Sequence, residues 1–184
     1  KSAYAETELL RLAKQNNCKK YYIATMEPFG NETLKKIARH REMRKDKGFD
    51  TLERYVDLKG TAEMLTDRPA VLLECMSNLT ANEIYRPDGA GEQTADSIVD
   101  GVEELCSRCE HVVIVTNEVD RDGICYGPET MEYIRLMGCL NQKLASAADR
   151  VVEVVHGIPV LLKPSALGLA AIGSDFIRRE CQGE

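Results

Sequence analysis

The chain has 184 residues, of which 43% are hydrophobic and 29% charged, and a formal net charge of −6. Those proportions fit one globular domain over residues 1–184 with a sizeable core, and the acidic balance argues against bulk nucleic-acid binding. No apolar run approaches the ~20 residues of a membrane span. No signal peptide is visible, and the seven scattered cysteines read as reduced thiols in a cytoplasmic protein.

The chain opens on Lys1-Ser2 rather than on Met, and a helical pattern follows over residues 2–16. Lys-Ser before a helix is how a phosphate-binding loop of the form G-x-x-x-x-G-K-[ST] ends; its lysine reaches the phosphates and its hydroxyl binds Mg²⁺. The glycines and the strand before them are absent here, so two residues alone carry little, and the expectation is an N-terminally incomplete domain. "YYIAT" at 21–25 is the first β-rich run. Helical patterns follow over 31–46 and 50–58. "AVLLEC" at 70–75 and "HVVIVTNEV" at 111–119 are apolar almost without alternation, which suits strands buried on both faces of a parallel sheet. Further helices are predicted over 94–109 and 128–149. "RVVEVVHGIPVLLK" at 150–163 is broken by Gly157 and Pro159 and reads as two strands around a turn. "RPDGAGEQTAD" at 86–96 reads as a flexible loop, and the residues after Asp175 as a polar tail. Strands alternating with helices predict an α/β fold with a mainly parallel sheet.

Such a sheet holds ligands at the carboxyl ends of its strands. The polar residues there are Thr25 (beside Ala24 and Met26), Glu74, Thr116-Asn117-Glu118 and His156. Each alone is more simply a strand cap. Glu74 is the exception. A carboxylate directly after four apolar residues is costly to bury unpaired, and in nucleotide-binding α/β proteins that place commonly holds Mg²⁺; Glu118 has a weaker claim. "KKIARHREMRKDK" at 35–47 sets one histidine, His40, among seven lysines and arginines. Neighbouring cations keep an imidazole neutral and so nucleophilic, and they attract a polyphosphate. The competing reading is a solvated helix face. Cys106-Ser-Arg-Cys109 is a single CxxC on a helical stretch and reads as structural. Asn141 falls in the apolar stripe of the 128–149 helix, either as a hydrogen-bonded core residue or as one aimed at the site.

The segments "KSAYAE", "YYIAT", "KIARHREMR…FDTLE", "VLLECMSNLTANEIY", "VVIVTNEV" and "GCLNQKLASAADRVVEVVHGIPVLLK" together resemble the bifunctional adenosylcobinamide kinase / adenosylcobinamide-phosphate guanylyltransferase family of cobalamin biosynthesis. They run in order along almost the whole chain, with the weakest match at 86–110. The resemblance implies a P-loop NTPase-like three-layer fold and two reactions: phosphorylation of adenosylcobinamide by a nucleoside triphosphate (ATP or GTP), then transfer of GMP from GTP to that phosphate. It implies a covalent guanylyl-histidine at His40. It also implies nucleotide contacts at Lys1, Ser2, Ala24, Thr25, Met26, Arg41, Glu42, Met43, Arg44, Glu53 and Glu74, with Mg²⁺ at Ser2 and Glu74. A homotrimer is implied as well. Read from spacing, Arg41 and Arg44 lie three apart on a helix and project to one side as a triphosphate clamp.

Several positions depart from the family pattern. The family's short "NEVGxGxVP" turn is here "NEVDRDGICYGP", which leaves substrate geometry at 120–127 open. A common Trp is Phe49, and a histidine often found before the nucleophile is Arg39. Without a strand and glycine loop ahead of Lys1, phosphorylation would fail, so both are expected upstream. Two alternatives remain: a P-loop small-molecule kinase lacking the guanylyl step, and a GTP-binding module without turnover.

Overall fold

The computed structural model describes residues 1–119, 124 and 126–164. By its internal contacts the chain divides into two compact units, Ser2–Asn117 and a second comprising Glu118–Glu184 with Lys1.

In the first unit, apolar stretches become β1 (Lys20–Ala24), β3 (Ala70–Glu74) and β4 (His111–Val115), and the polar Asp50–Glu53 becomes β2, hydrogen-bonded in the order β2-β1-β3-β4. Every pairing is parallel, and the register sets Ala24 opposite both Glu53 and Glu74, and Glu74 opposite Val115. The four carboxyl ends therefore form one line. α1 (Ser2–Asn16) repeats Ala5, Leu9 and Ala13 every four residues, which stacks them on one helix face. That face packs on Tyr22, Ala70, Leu72 and Val115. Period two along the strands turns Ile23, Val71 and Leu73 to the opposite side, and these are fully buried too. A parallel sheet whose central strands carry buried residues on both faces is the α/β, mainly parallel arrangement that the sequence predicts, consistent with a P-loop NTPase-like fold, although β4, expected to be buried on both faces, is only half-buried up to Ile114.

The remaining helices of this unit are α2 (Gly30–Arg44), α3 (Leu58–Glu63), α4 (Met76–Tyr85) and α5 (Thr94–Arg108). α3 and α5 approach closely at Gly101, where a Cβ would lie 2.7 Å from the Cβ of Leu58. Two expectations are corrected here. Residues 50–58 are not a helix: Asp50–Glu53 pair with β1 as an edge strand, and α3 begins only at Leu58. The helix-favouring Leu, Glu and Arg of that stretch are overridden by pairing with a neighbouring strand. The 86–96 stretch is also more ordered than expected, with a 3₁₀ turn at Gly91–Gln93 and α5 starting at Thr94.

In the second unit, α6 (Pro128–Ala147) starts with proline in its first turn, where the missing N–H costs nothing. β5 (Val151–Val155) and β6 (Ile158–Lys163) form an antiparallel hairpin. Its turn needs two left-handed residues, supplied by His156 (φ 49°) and Gly157 (φ 87°). Lys163 Nζ donates to the carbonyls of Ala145 (3.2 Å) and Ser146 (2.8 Å), satisfying the last turn of α6. Asn141 is half-buried on α6. Cys18, Cys75, Cys106 and Cys109 are unbridged, but Cys139 is disulfide-bonded, against the expectation of thiols throughout. Sequence spacing does not tell which sulfurs a fold brings together. Residues 120–123 and 125 of the family-divergent turn, and the tail after Asp175, lie outside the described residues.

Candidate functional site

Glu74 closes β3 with its side chain only 10% exposed. The four residues before it on β3, Ala70–Leu73, are all buried, so the carboxylate emerges from apolar surroundings at the line of strand ends. Ser2 Oγ, at the start of α1, donates to Glu74 Oε1. His40 Nδ1, on α2, lies 3.8 Å from the same oxygen. Three residues far apart in sequence thus meet at one carboxylate. The other oxygen, Glu74 Oε2, is buried with no hydrogen-bond partner, and so is His40 Nδ1. Buried polar atoms are normally satisfied, so unsatisfied ones at strand ends point to a ligand. Ser2 Oγ and an orphaned carboxylate oxygen are hard donors of the kind Mg²⁺ takes, with phosphate and water completing its shell. Among the described residues, no three of His, Cys, Asp and Glu gather as a metal site of their own.

Beneath this point lies a buried polar layer. Tyr22 of β1 is almost fully buried. Burial pushes its phenol well above the usual range; the Glu74 carboxylate adds to this and Arg44 opposes it. The hydroxyl therefore stays protonated. Arg44 lies over the Tyr22 ring with its guanidinium carbon 3.5 Å from the centroid, a desolvated cation–π contact. Its Nε and Nη1 are buried without partners. Glu6 of α1 is fully buried and accepts from Lys47 Nζ, while its second oxygen is also unpartnered. Two carboxylates and two cations thus balance beneath the strand ends.

The arginine clamp read from spacing is not formed. Arg44 turns inward onto Tyr22, whereas Arg41 stays exposed and pairs with Glu53 at the end of β2. Residues three apart differ in direction by about 60° around a helix, enough to separate the two when one side faces a sheet. His40 and Arg44, four apart, share the inward side. Glu42 is exposed and Met43 half-buried. Ala24 and Met26 are half-buried at the end of β1, and Lys1 is exposed. Glu118 is exposed beyond β4. Thr25 is fully buried and its polar groups are committed. Its N–H donates to the Glu74 carbonyl (3.1 Å), its hydroxyl bridges the N–H and C=O of Cys75 (2.7 and 2.8 Å), and its carbonyl accepts from Asn82 (2.8 Å). Thr25 thus fixes the strand end that carries Glu74.

Sequence reasoning overlooked Glu6, Tyr22, Lys47 and Asn82. Glu6 carried a signal: it is a charged residue beside the apolar stripe of α1. Ser77 and Asn117, joined by a 2.8 Å hydrogen bond, extend the polar line from Cys75 to the end of β4.

The family described as cobinamide kinase / cobinamide phosphate guanyltransferase matches residues 1–162. The chain belongs to this family. It is 32% identical over 155 residues to the bifunctional adenosylcobalamin biosynthesis protein CobU of Salmonella typhimurium, covering 77% of this chain and 84% of the relative. Identity to the protein of the same name from Escherichia coli is 30% over 154 residues, with the same coverage. Identity to the bifunctional adenosylcobalamin biosynthesis protein CobP of Pseudomonas aeruginosa is 29% over 161 residues, covering 85% of this chain and 90% of the relative. The chain is accordingly an enzyme of a family named for a kinase and a guanylyltransferase step, and such steps consume nucleotides.

Proposed function

We propose that this enzyme phosphorylates adenosylcobinamide with a nucleoside triphosphate, ATP or GTP, and then transfers GMP from GTP to the new phosphate through a guanylyl group carried on His40. The observation that most supports this is the convergence of Ser2 Oγ and His40 Nδ1 on Glu74, whose second oxygen is buried and unpartnered. A hydroxyl and a carboxylate suit a nucleotide-bound Mg²⁺, and an imidazole beside them suits attack on phosphorus. In this reading Ser2 and Glu74 hold Mg²⁺, which would neutralise phosphate charge when bound. Lys1, Ala24, Met26, Arg41, Glu42, Met43 and Glu53 line the nucleotide. Thr25 acts from beneath, fixing the strand end that carries Glu74, and Arg44 packs on Tyr22 below it.

The exposed apolar residues of the β5–β6 hairpin, Ile158, Val160, Leu161 and Leu162, support a homo-oligomer, with a trimer as the expected state. Among the described residues, no helix is long and apolar enough to cross a membrane. A cytoplasmic location agrees with the four unbridged thiols, while the Cys139 disulfide runs against it.

The test is an intact mass of the full-length protein after incubation with Mg²⁺ and GTP, without corrinoid. The expected result is a gain of one GMP, lost in acid, stable in alkali and absent from His40→Ala. Bound GTP with no adduct would reduce the enzyme to a plain kinase or a nucleotide-binding module.

A further inference from the structure

Of the fifteen residues of α2, the helix that carries His40, only Arg44 is buried, and it is the last. Little apolar burial therefore fixes where this helix sits. A helix turns about 100° per residue, so a slip of one position would swing His40 away from the strand ends. Arg41 pairs with Glu53, but both side chains are exposed, and such a pair contributes little. Arg44 lies over the face of the Tyr22 ring. A ring face fixes how close the helix end lies and constrains its position along the ring only weakly.

Lys47 supplies the missing constraint. Its backbone N–H donates to the Arg44 carbonyl at 2.9 Å, which ties it to the end of α2. Its Nζ reaches Glu6 Oε2, and Glu6 is fully buried on α1. α1 is a firm reference, because Ala5, Leu9 and Ala13 pack it on the sheet. Ser2 and Glu6 are four residues apart and share a helix face. The face that presents Ser2 Oγ to Glu74 thus also holds the far end of the histidine helix. Stability alone does not account for the pair. A buried carboxylate and ammonium can often be exchanged for apolar side chains of similar volume without loss, and the best-attested use of such pairs is to fix register.

We infer that Glu6 and Lys47 are positioning residues for GMP transfer, a buried latch that sets α2 against α1 so that His40 stands at the Ser2 end of the phosphate-binding helix. This rests on the guanylyl-histidine reading above and adds what places the histidine. Phosphorylation does not use His40 in that reading, so the two activities of one enzyme separate placement from folding.

The test compares the full-length parent with two variants. Glu6→Leu/Lys47→Met replaces the pair by apolar side chains. Glu6→Gln keeps the shape and an acceptor for Lys47 but removes the charge. For each, the unfolding midpoint is measured, with the rate of GMP attachment from GTP and Mg²⁺ without corrinoid, read as quenched intact mass, and the rate of adenosylcobinamide phosphorylation. The double variant should unfold at or above the parent midpoint. Its GMP attachment at saturating GTP should be about a hundredfold slower, the scale of a misplacement of ~1 Å, with phosphorylation within about threefold of the parent. Glu6→Gln should lie between the double variant and the parent. Parent-like attachment in a folded variant, an equal fall in both activities, or a loss confined to GTP affinity would overturn the inference and leave the guanylyl-histidine reading standing. If the double variant does not fold, Glu6→Gln decides by the same ratio of activities. No GMP adduct on the parent removes that reading, and the inference with it.

Discussion

The two ends of the four-stranded sheet treat polar groups differently. At the amino ends, a cleft of about 300 Å³ is lined by residues that include Asn16, Lys19, Asp67, Arg68 and Glu110. Its charged side chains are matched with one another: Lys19 with Asp67 at 3.6 Å and Arg68 with Glu110 at 3.0 Å, while Asn16 also donates to Glu110. At the carboxyl ends, Glu74 Oε2, His40 Nδ1 and two nitrogens of Arg44 are buried and unmatched. The open cleft is the self-sufficient end, and the end with unsatisfied polar atoms is the one that calls for a ligand. Leaving a buried donor or acceptor unpaired costs about 1–3 kcal/mol, so unsatisfied atoms are better evidence for a site than concavity.

The largest expected effect tests that contrast directly. His40→Ala should lower GMP transfer by at least about a thousandfold, the scale on which removing a nucleophile acts, while phosphorylation of adenosylcobinamide persists. Arg68→Ala at the other end removes an exposed ion pair and should cost no more than about 1 kcal/mol of stability, with transfer unchanged. Rates and denaturant midpoints measured side by side decide it; transfer at the normal rate by His40→Ala would end the nucleophile assignment.

Two glutamates carry the contrast into the interior. Glu83 is buried and fully used: its two oxygens accept the N–H groups of Asp57 (2.8 Å) and Ala90 (2.9 Å). Glu74 is nearly as enclosed, and only one of its oxygens is used. Glu83→Ala should cost about 2–4 kcal/mol, because two backbone donors lose their acceptor, and transfer per folded molecule should hold. Glu74→Gln should do the reverse, lowering turnover by about a hundredfold with the unfolding midpoint little changed. If Glu74→Gln unfolds and the folded fraction turns over normally, Glu74 is structural.

The sequence made some of this legible. The four-residue repeat of Ala5, Leu9 and Ala13 and the unbroken "AVLL" were local signals for α1 and β3, and both stand. Glu74 stood out because a carboxylate after an apolar run is costly. β2 was misread because four residues, mostly exposed, take their form from β1 beside them. α4 was missed although Met76, Leu79, Thr80 and Glu83 carry the spacing of a buried helix face. Within the site, the chemistry expected of His40 came from resemblance, and its contact with Glu74 needs the fold. The inward turn of Arg44 could not be read from spacing, which fixes angles between side chains but not which of them meets the sheet.

The smallest effect probes the paired end through its thiols. Cys106 is exposed on α5, and Cys109 is buried at the helix end just before Glu110. Burial, reinforced by Cys106 and opposed by Arg68, pushes the Cys109 thiol up to about 12. An alkylating agent at pH 8 should therefore label Cys106 and spare Cys109 until the protein unfolds, as peptide mapping would show. The sign also sets a pH dependence. An unfolded thiol ionises near pH ~8.5, whereas the folded one resists ionisation to about 12. The stability from keeping Cys109 protonated is complete below the first value and is lost as pH rises toward the second. Between pH 9 and 11 the urea midpoint should fall further in the parent protein than in Cys109→Ala. Equal slopes, or rapid labelling of Cys109 at pH 8, would show that the amino end opens to solvent and that its matched charges do not close it.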